Sequence, residues 1–102
     1  MRRYELMVII TDELDDDGVK AVVAKIAQTV TDQGGRVVAT DEWGKRPLAF
    51  ELEHRAVGYY VIFDLELTPA ALNELERQLK LNDSVMRFKT VRPDLRVHAP
   101  TA

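Results

Sequence analysis

The chain has 102 residues, 46% of them hydrophobic, and a formal net charge of −3. That length suits one domain with a core that stands without staples. It has no cysteine, which excludes disulfides and thiolate metal sites, and its acidic balance argues against a stand-alone nucleic-acid binder.

No apolar run approaches the ~20 residues of a membrane span. The amino end carries Glu5 and no small-residue cleavage site, so it does not read as a signal peptide, and a cytoplasmic location is the expectation. Charge is unevenly placed. Asp12 to Asp17 holds five acids and no base, whereas Arg87, Lys89, Arg92 and Arg96 meet only Asp94. A basic surface on an acidic chain is therefore expected.

Arg3 to Ile10 reads as the first strand, with Tyr4, Leu6, Val8 and Ile10 on an uncharged face and Arg3, Glu5, Met7 and Ile9 on the other. Thr11 to Gly18 is a polar break. Asp15 is the expected helix N-cap, with Asp16 and Asp17 favoured by the positive helix end, and Leu14 packs on Val19 as a hydrophobic staple. Val19, Val22, Val23, Ile26, Ala27 and Val30 follow helical spacing. Gly34 and Gly35 end the helix.

Arg36 to Glu53 reads as a long extended segment interrupted by Gly44 and Pro47. The proline predicts an edge strand and the glycine a bulge. Glu53 to Gly58 is the expected turn into a central strand, Gly58–Leu67. Its aromatic and β-branched residues suit a pleated surface. Tyr59, Val61, Phe63, Leu65 and Leu67 share an apolar face, and Tyr60, Ile62, Asp64 and Glu66 share a mixed one. Such a strand belongs to a sheet covered on one side only.

Thr68 and Pro69 open a second helix as cap and first residue. Leu67 and Leu72 form another staple, Leu72, Leu75 and Leu79 the buried stripe, and Asn82 the stop. Val85 to Arg92 is the last strand, with Met86 and Phe88 inward and Arg87 and Lys89 outward. Pro93 ends it, and a short tail follows. The domain is placed at residues 1–96 and the tail at 97–102. Right-handed crossovers leave few topologies for this element order. The commonest is the ferredoxin-like α+β sandwich, βαββαβ, with a four-stranded antiparallel sheet of order 4-1-3-2 and both helices on one face.

Little points to catalysis. Glu13, Asp15, Asp17 and Gly18 resemble the start of a calcium loop, but the position needing a bidentate acid is Ala24. His54 and His98 have neither the spacing for zinc nor that for an acid–base pair. Gly34-Gly35 follows a helix, so it is no phosphate loop. Ser84 is the sole serine. No enzyme activity, cofactor, metal or small-molecule substrate is expected. The uncovered face is the better candidate. Met7, Ile9, Tyr60 and Ile62 make an apolar patch there that either marks a partner-binding site or is covered by the tail. Tyr60 alone is a thin platform for stacking RNA bases.

Gly44-Lys45-Arg46-Pro47-Leu48-Ala49-Phe50-Glu51-Leu52 closely resembles the signature segment of the bacterial small-subunit ribosomal protein six family. The opening Met1-Arg2-Arg3-Tyr4-Glu5, the pair Gly58-Tyr59 and the run Val85-Met86-Arg87 are similar to that family too, and the similarity spans roughly residues 1–96. Pro47, Phe50 and Glu53 depart from its usual pattern, so no hydroxyl hydrogen bond is expected at position 50 and no phosphate contact near Glu53. The resemblance implies the ferredoxin-like fold and a non-enzymatic role. It also implies binding to the central domain of 16S ribosomal RNA together with a small basic partner, small-subunit protein eighteen, as a heterodimer. Arg2, Arg3, Lys45, Arg46, Arg87, Lys89 and Arg92 are then the candidate phosphate contacts. Trp43 either stacks on RNA or the partner, or shields the edge strand; shielding is the expectation. A small-molecule-sensing regulatory domain of the same topology is the alternative, and needs a dimer interface and a pocket at the helix ends. An acylphosphatase-like enzyme would need the phosphate loop that is missing.

Overall fold

The computed structural model describes residues 1–52 and 55–92, excepting the side chains of 49–52, 55 and 56. The expectations for Glu53, His54, Pro93, His98 and the tail 97–102 lie outside those residues, as does the side chain of Phe50. The elements are β1 (Arg2–Thr11), α1 (Asp16–Asp32), β2 (Arg36–Leu52), β3 (Arg55–Leu67), α2 (Pro69–Leu81) and β4 (Val85–Val91). They form one four-stranded sheet of order β2-β3-β1-β4, with antiparallel neighbours throughout. This is the ferredoxin-like sandwich.

The core lies between one sheet face and the two helices. Leu6, Val8 and Ile10 of β1 and Phe63, Leu65 and Leu67 of β3 are fully buried there. Alternation puts their neighbours on the opposite, open face. From α1 come Val19, Val22, Ile26 and Val30, and from α2 Ala71, Leu75 and Leu79. Leu72, expected in this stripe, is half-buried and packs against the core, and Ala71 is buried in addition.

Both helix starts are capped by the side chains their sequence offers. Asp15 Oδ1 accepts from the Gly18 amide at 2.8 Å, and Thr68 Oγ1 from the Ala71 amide at 3.1 Å. At the end of α1 the Gly35 amide donates to the Val30 carbonyl and the Gly34 amide to that of Thr31, while Gly34 adopts φ +81°. This paired closure satisfies carbonyls that the helix leaves open. Gly35 has a different reason to be glycine. A Cβ there would lie 2.7 Å from the Glu66 carbonyl oxygen and 2.9 Å from Leu67 Cβ.

Three irregularities shape the sheet. Strand β3 starts at Arg55, earlier than the expected Gly58, because Leu52 already pairs with Arg55 and the connection is short. The register of β2 against β3 shifts between Glu42 and Gly44, where Gly44 adopts φ +82°, and also near Val37–Ala39 and after Pro47. Strand β4 carries a bulge opposite Ile9 and Ile10. Arg87 pairs with Ile9 and Val85 with Ile10, which leaves Met86 as the extra residue. Val85 and Phe88 therefore pack on the core, where Met86 and Phe88 were expected.

A polar network joins the helices. Thr29 Oγ1 donates to Gln78 Oε1 at 3.1 Å, and Gln78 Nε2 donates to Glu74 Oε2 at 2.8 Å. Arg77 donates to both Glu74 oxygens, at 2.9 and 2.6 Å. These hydrogen bonds, Arg77 first and Gln78 second, hold the Glu74 carboxyl down to about 2 from its ordinary 4.5.

Two outcomes are expected. Gly35→Ala should destabilise the chain by about 1–3 kcal/mol, the usual cost of overpacking against atoms that cannot yield, as read from urea unfolding; an unchanged midpoint would show that the β3 backbone yields. Glu74 ionises more readily folded than unfolded, so its contribution is complete above pH about 4.5 and fades as pH falls toward 2. The difference in urea midpoint between wild type and Glu74→Gln should shrink across that window, and a constant difference would contradict the assignment.

Candidate functional site on the open face

The strand register aligns the open face into rows that cross the whole sheet. One row reads Asp41 (β2), Ile62 (β3), Met7 (β1) and Lys89 (β4), through the pairs Asp41↔Ile62, Met7↔Ile62 and Met7↔Lys89. The next reads Gly44, Tyr60, Ile9 and Arg87. On the other side lie Ala39, Asp64, Glu5 and Val91. The middle of the face is apolar, the β4 edge is basic, and the β2 and β3 side mixes the acids Asp41, Asp64 and Glu66 with Arg36 and Arg46.

Trp43 sits in the bulge of β2, its ring stacked on Tyr60 with centroids 6.5 Å apart and planes 16° from parallel. The indole Nε1 donates to Asp41 Oδ2 at 2.9 Å, and the Arg46 guanidinium lies 5.6 Å from the ring centroid. The ring is nonetheless 48% exposed. Trp43 therefore adds a second aromatic to the face where Tyr60 was expected to stand alone. Sequence spacing could not reveal this, because the pair is made by strand register across residues far apart in the chain.

The apolar patch divides. Met7, Tyr60 and Ile62 are half-buried. Ile9 is only 4% exposed, so it is not part of the accessible surface as expected. Its Cγ2 fills the space above Gly58, where a Cβ would come within 2.6 Å, and Leu48 closes over the same point. Below Asp41 and Trp43 runs a trough of about 560 Å3, floored by Met7 and Ile62 and bounded on the β4 side by Lys89 and Val91, with Glu5 at its end.

The seven candidate cations do not converge on one patch. Arg46, Arg87 and Lys89 belong to the open face. Arg3 is there too, but it donates to both oxygens of Asp64, at 3.1 and 2.7 Å. That hydrogen bond, with the carboxylate charge behind it, raises the Arg3 pKa. Beside it Arg36 donates twice to Glu66 Oε1, so this end of the face is a ladder of ion pairs. Arg2 and Lys45 fall on the helix side of the sheet by alternation, at opposite ends: Arg2 pairs with Leu67, and Lys45 pairs with Tyr59, holding its ammonium 5.5 Å from that ring. Arg92 follows the end of β4 and is half-buried.

A second cavity, about 470 Å3, lies toward the carboxyl ends of the helices, lined by Ile26, Thr29, Leu75, Gln78 and Leu81 among others. Among the described residues no group of three or more His, Cys, Asp or Glu side chains could hold a metal ion, and no helix is long and apolar enough to cross a membrane.

Residues 3–92 match the family model described as Ribosomal protein S6. The small ribosomal subunit protein bS6 of Salinispora arenicola is 45% identical over 96 residues, 94% of this chain and 100% of that protein. The bS6 of Symbiobacterium thermophilum is 45% identical over 91% of this chain and 98% of its own length. In fold, the chain is similar to the crystal structure of 30S ribosomal protein S6 from Thermotoga maritima, with a TM-score of 0.86 at 24% identity, covering 93% of this chain and 91% of that one. The solution structure of the C-terminal domain of the MgtC protein from Mycobacterium tuberculosis shares the fold alone, with a TM-score of 0.66 at 18% identity over 100% of this chain and 95% of that domain. An unbroken match from the first strand to the last, at the full length of its relatives, leaves one conclusion: the chain belongs to the ribosomal protein S6 family.

Proposed function

We propose that this chain binds the central domain of 16S ribosomal RNA as a heterodimer with small-subunit protein eighteen. Family membership makes it a structural protein of the small ribosomal subunit, cytoplasmic and ribosome-associated. The observation that carries the finer reading is the polarised open face, an apolar and aromatic centre beside the basic row Arg87 and Lys89.

An acidic chain gains little from phosphate by itself, since affinity for nucleic acid comes largely from neutralising charge. A basic partner supplies what this chain lacks. The exposed parts of Met7, Tyr60 and Ile62 suit protein docking, with Ile9 buried beside Tyr60 in the same row. Arg87 and Lys89 suit phosphate, joined by Arg46 and by Arg92 at the end of β4. Arg3, occupied by Asp64, contributes less. Arg2 and Lys45 would reach RNA only where it wraps past the ends of the sheet.

The direct test is binding to a fragment of the RNA central domain at fixed salt, with and without protein eighteen. Tight binding only with both proteins supports cooperative assembly, and no binding in either case with folded protein rejects it. Within the assembly, replacing Arg87 and Lys89 together by Ala should weaken binding and reduce the salt slope by about 1.5–2, as expected for two lost phosphate contacts. An unchanged slope would remove β4 from the RNA surface.

A further inference from the structure

We infer that Arg46 is a phosphate-binding arginine that the fold orders in advance, and that Trp43 is its positioning residue, holding the guanidinium over the indole with its terminal nitrogens left for an RNA phosphate. This rests on the RNA binding proposed above and names the residue pair that makes one of its contacts.

Arg3, Arg36 and Arg77 each turn the guanidinium to a carboxylate, Arg3 to Asp64, Arg36 to Glu66 and Arg77 to Glu74. Their positive charge is compensated before any polyanion arrives. Arg46 is held by groups without net charge. Its Nε donates to the Trp43 carbonyl at 3.2 Å, and its Cζ lies 5.6 Å from the centroid of the indole ring. Among the described residues it makes no ion pair. Its row across the sheet, Arg46, Gly58 and Thr11, contains no acid. The side chain is exposed. With Nε spent on the carbonyl, the terminal nitrogens remain as donors in a planar fork, the geometry that matches phosphate oxygens.

In a regular strand, residues three apart point to opposite faces. Here Gly44, at φ +82°, and the register shift beside it turn β2 between Trp43 and Arg46 and bring the two side chains together. The indole is fixed in turn. Tyr60 stacks on it, and Asp41 Oδ2 accepts from its Nε1 at 2.9 Å. An arginine that orders only on binding gives up its side-chain freedom at that moment. Arg46 is ordered already by ring and carbonyl, so contact with a phosphate costs it less. Stacked by Tyr60 and overlain by Arg46, the ring is engaged within the chain, and its effect on RNA passes through the arginine.

The test measures binding to the RNA fragment over a range of salt with protein eighteen saturating, so that partner affinity does not enter. It compares the full wild-type chain with Arg46→Ala, Arg46→Lys, Trp43→Leu, Trp43→Phe and the double variant of Trp43→Leu with Arg46→Ala. Arg46→Ala should weaken binding and lower the salt slope by about 0.7–0.9, one phosphate contact. Arg46→Lys keeps the charge and so the slope, but lacks the fork and should recover the affinity only in part. Trp43→Leu should weaken binding about two- to fivefold, the worth of an exposed cation–π contact. Trp43→Phe, which keeps a ring under the guanidinium, should recover part of that loss. The effect of Trp43→Leu should vanish once Arg46 is alanine, because the two residues act as one unit. A full Trp43→Leu loss in the Arg46→Ala background would mean that the ring touches RNA itself or only supports the sheet. That result, an unchanged slope for Arg46→Ala, or full rescue by Arg46→Lys would each overturn the inference. If wild type with protein eighteen binds no RNA, the proposed function fails instead, an outcome distinct from intact binding that ignores Arg46.

Discussion

Phe63, Leu65 and Leu67 of β3 are fully buried beside Leu6, Val8 and Ile10 of β1, and every other element is placed by that apolar layer. Both helices must bring their stripes to it, because it is the surface large enough to remove them from water. Strand alternation then leaves the intervening residues on the far side. The open face is thus the unavoidable reverse of the core. It exists because the two crossovers have the same hand and lay both helices on one side.

What happens on that reverse face is decided by register. Each row is assembled from four strands that are distant in sequence, and a slip of one residue would send every side chain to the other face. The rows separate an ion-pair ladder around Arg3, Asp64, Arg36 and Glu66 from an aromatic and apolar centre. They also place Arg87 and Lys89 of β4 across the sheet from the mixed charges of β2 and β3. The ladder consumes Arg3 internally, so its charge is a feature of the sheet before it is a feature of any interface.

Bulges tune this arrangement. Gly44 adopts a positive φ that other residues resist, and the register shift there sets both Trp43 and Gly44 against Tyr60. The shift in β4 moves Val85 into the inward position and frees Met86 from it. Gly58 works by absence, since Ile9 occupies the volume its side chain would need. An apolar residue of the open face is thereby buried.

The sequence by itself determined the element order, the capping residues, the edge position of β2, the inward faces of β1 and β3, and the family through its signature segment. These follow from local rules: period-two alternation, the hydrogen-bonding reach of Asp15 and Thr68, and the missing amide of Pro47. Only the tertiary structure decided that Met86 leaves the core, that Ala71 joins it, that Ile9 is covered, and that Trp43 joins Tyr60 and Asp41. It also decided that Arg3 is held by Asp64, and that Arg2 and Lys45 lie apart from the open-face cations. Each depends on which residues of separate strands stand opposite one another. That is fixed by bulges and by the collective burial of the core, and neither is written in the spacing of any single segment.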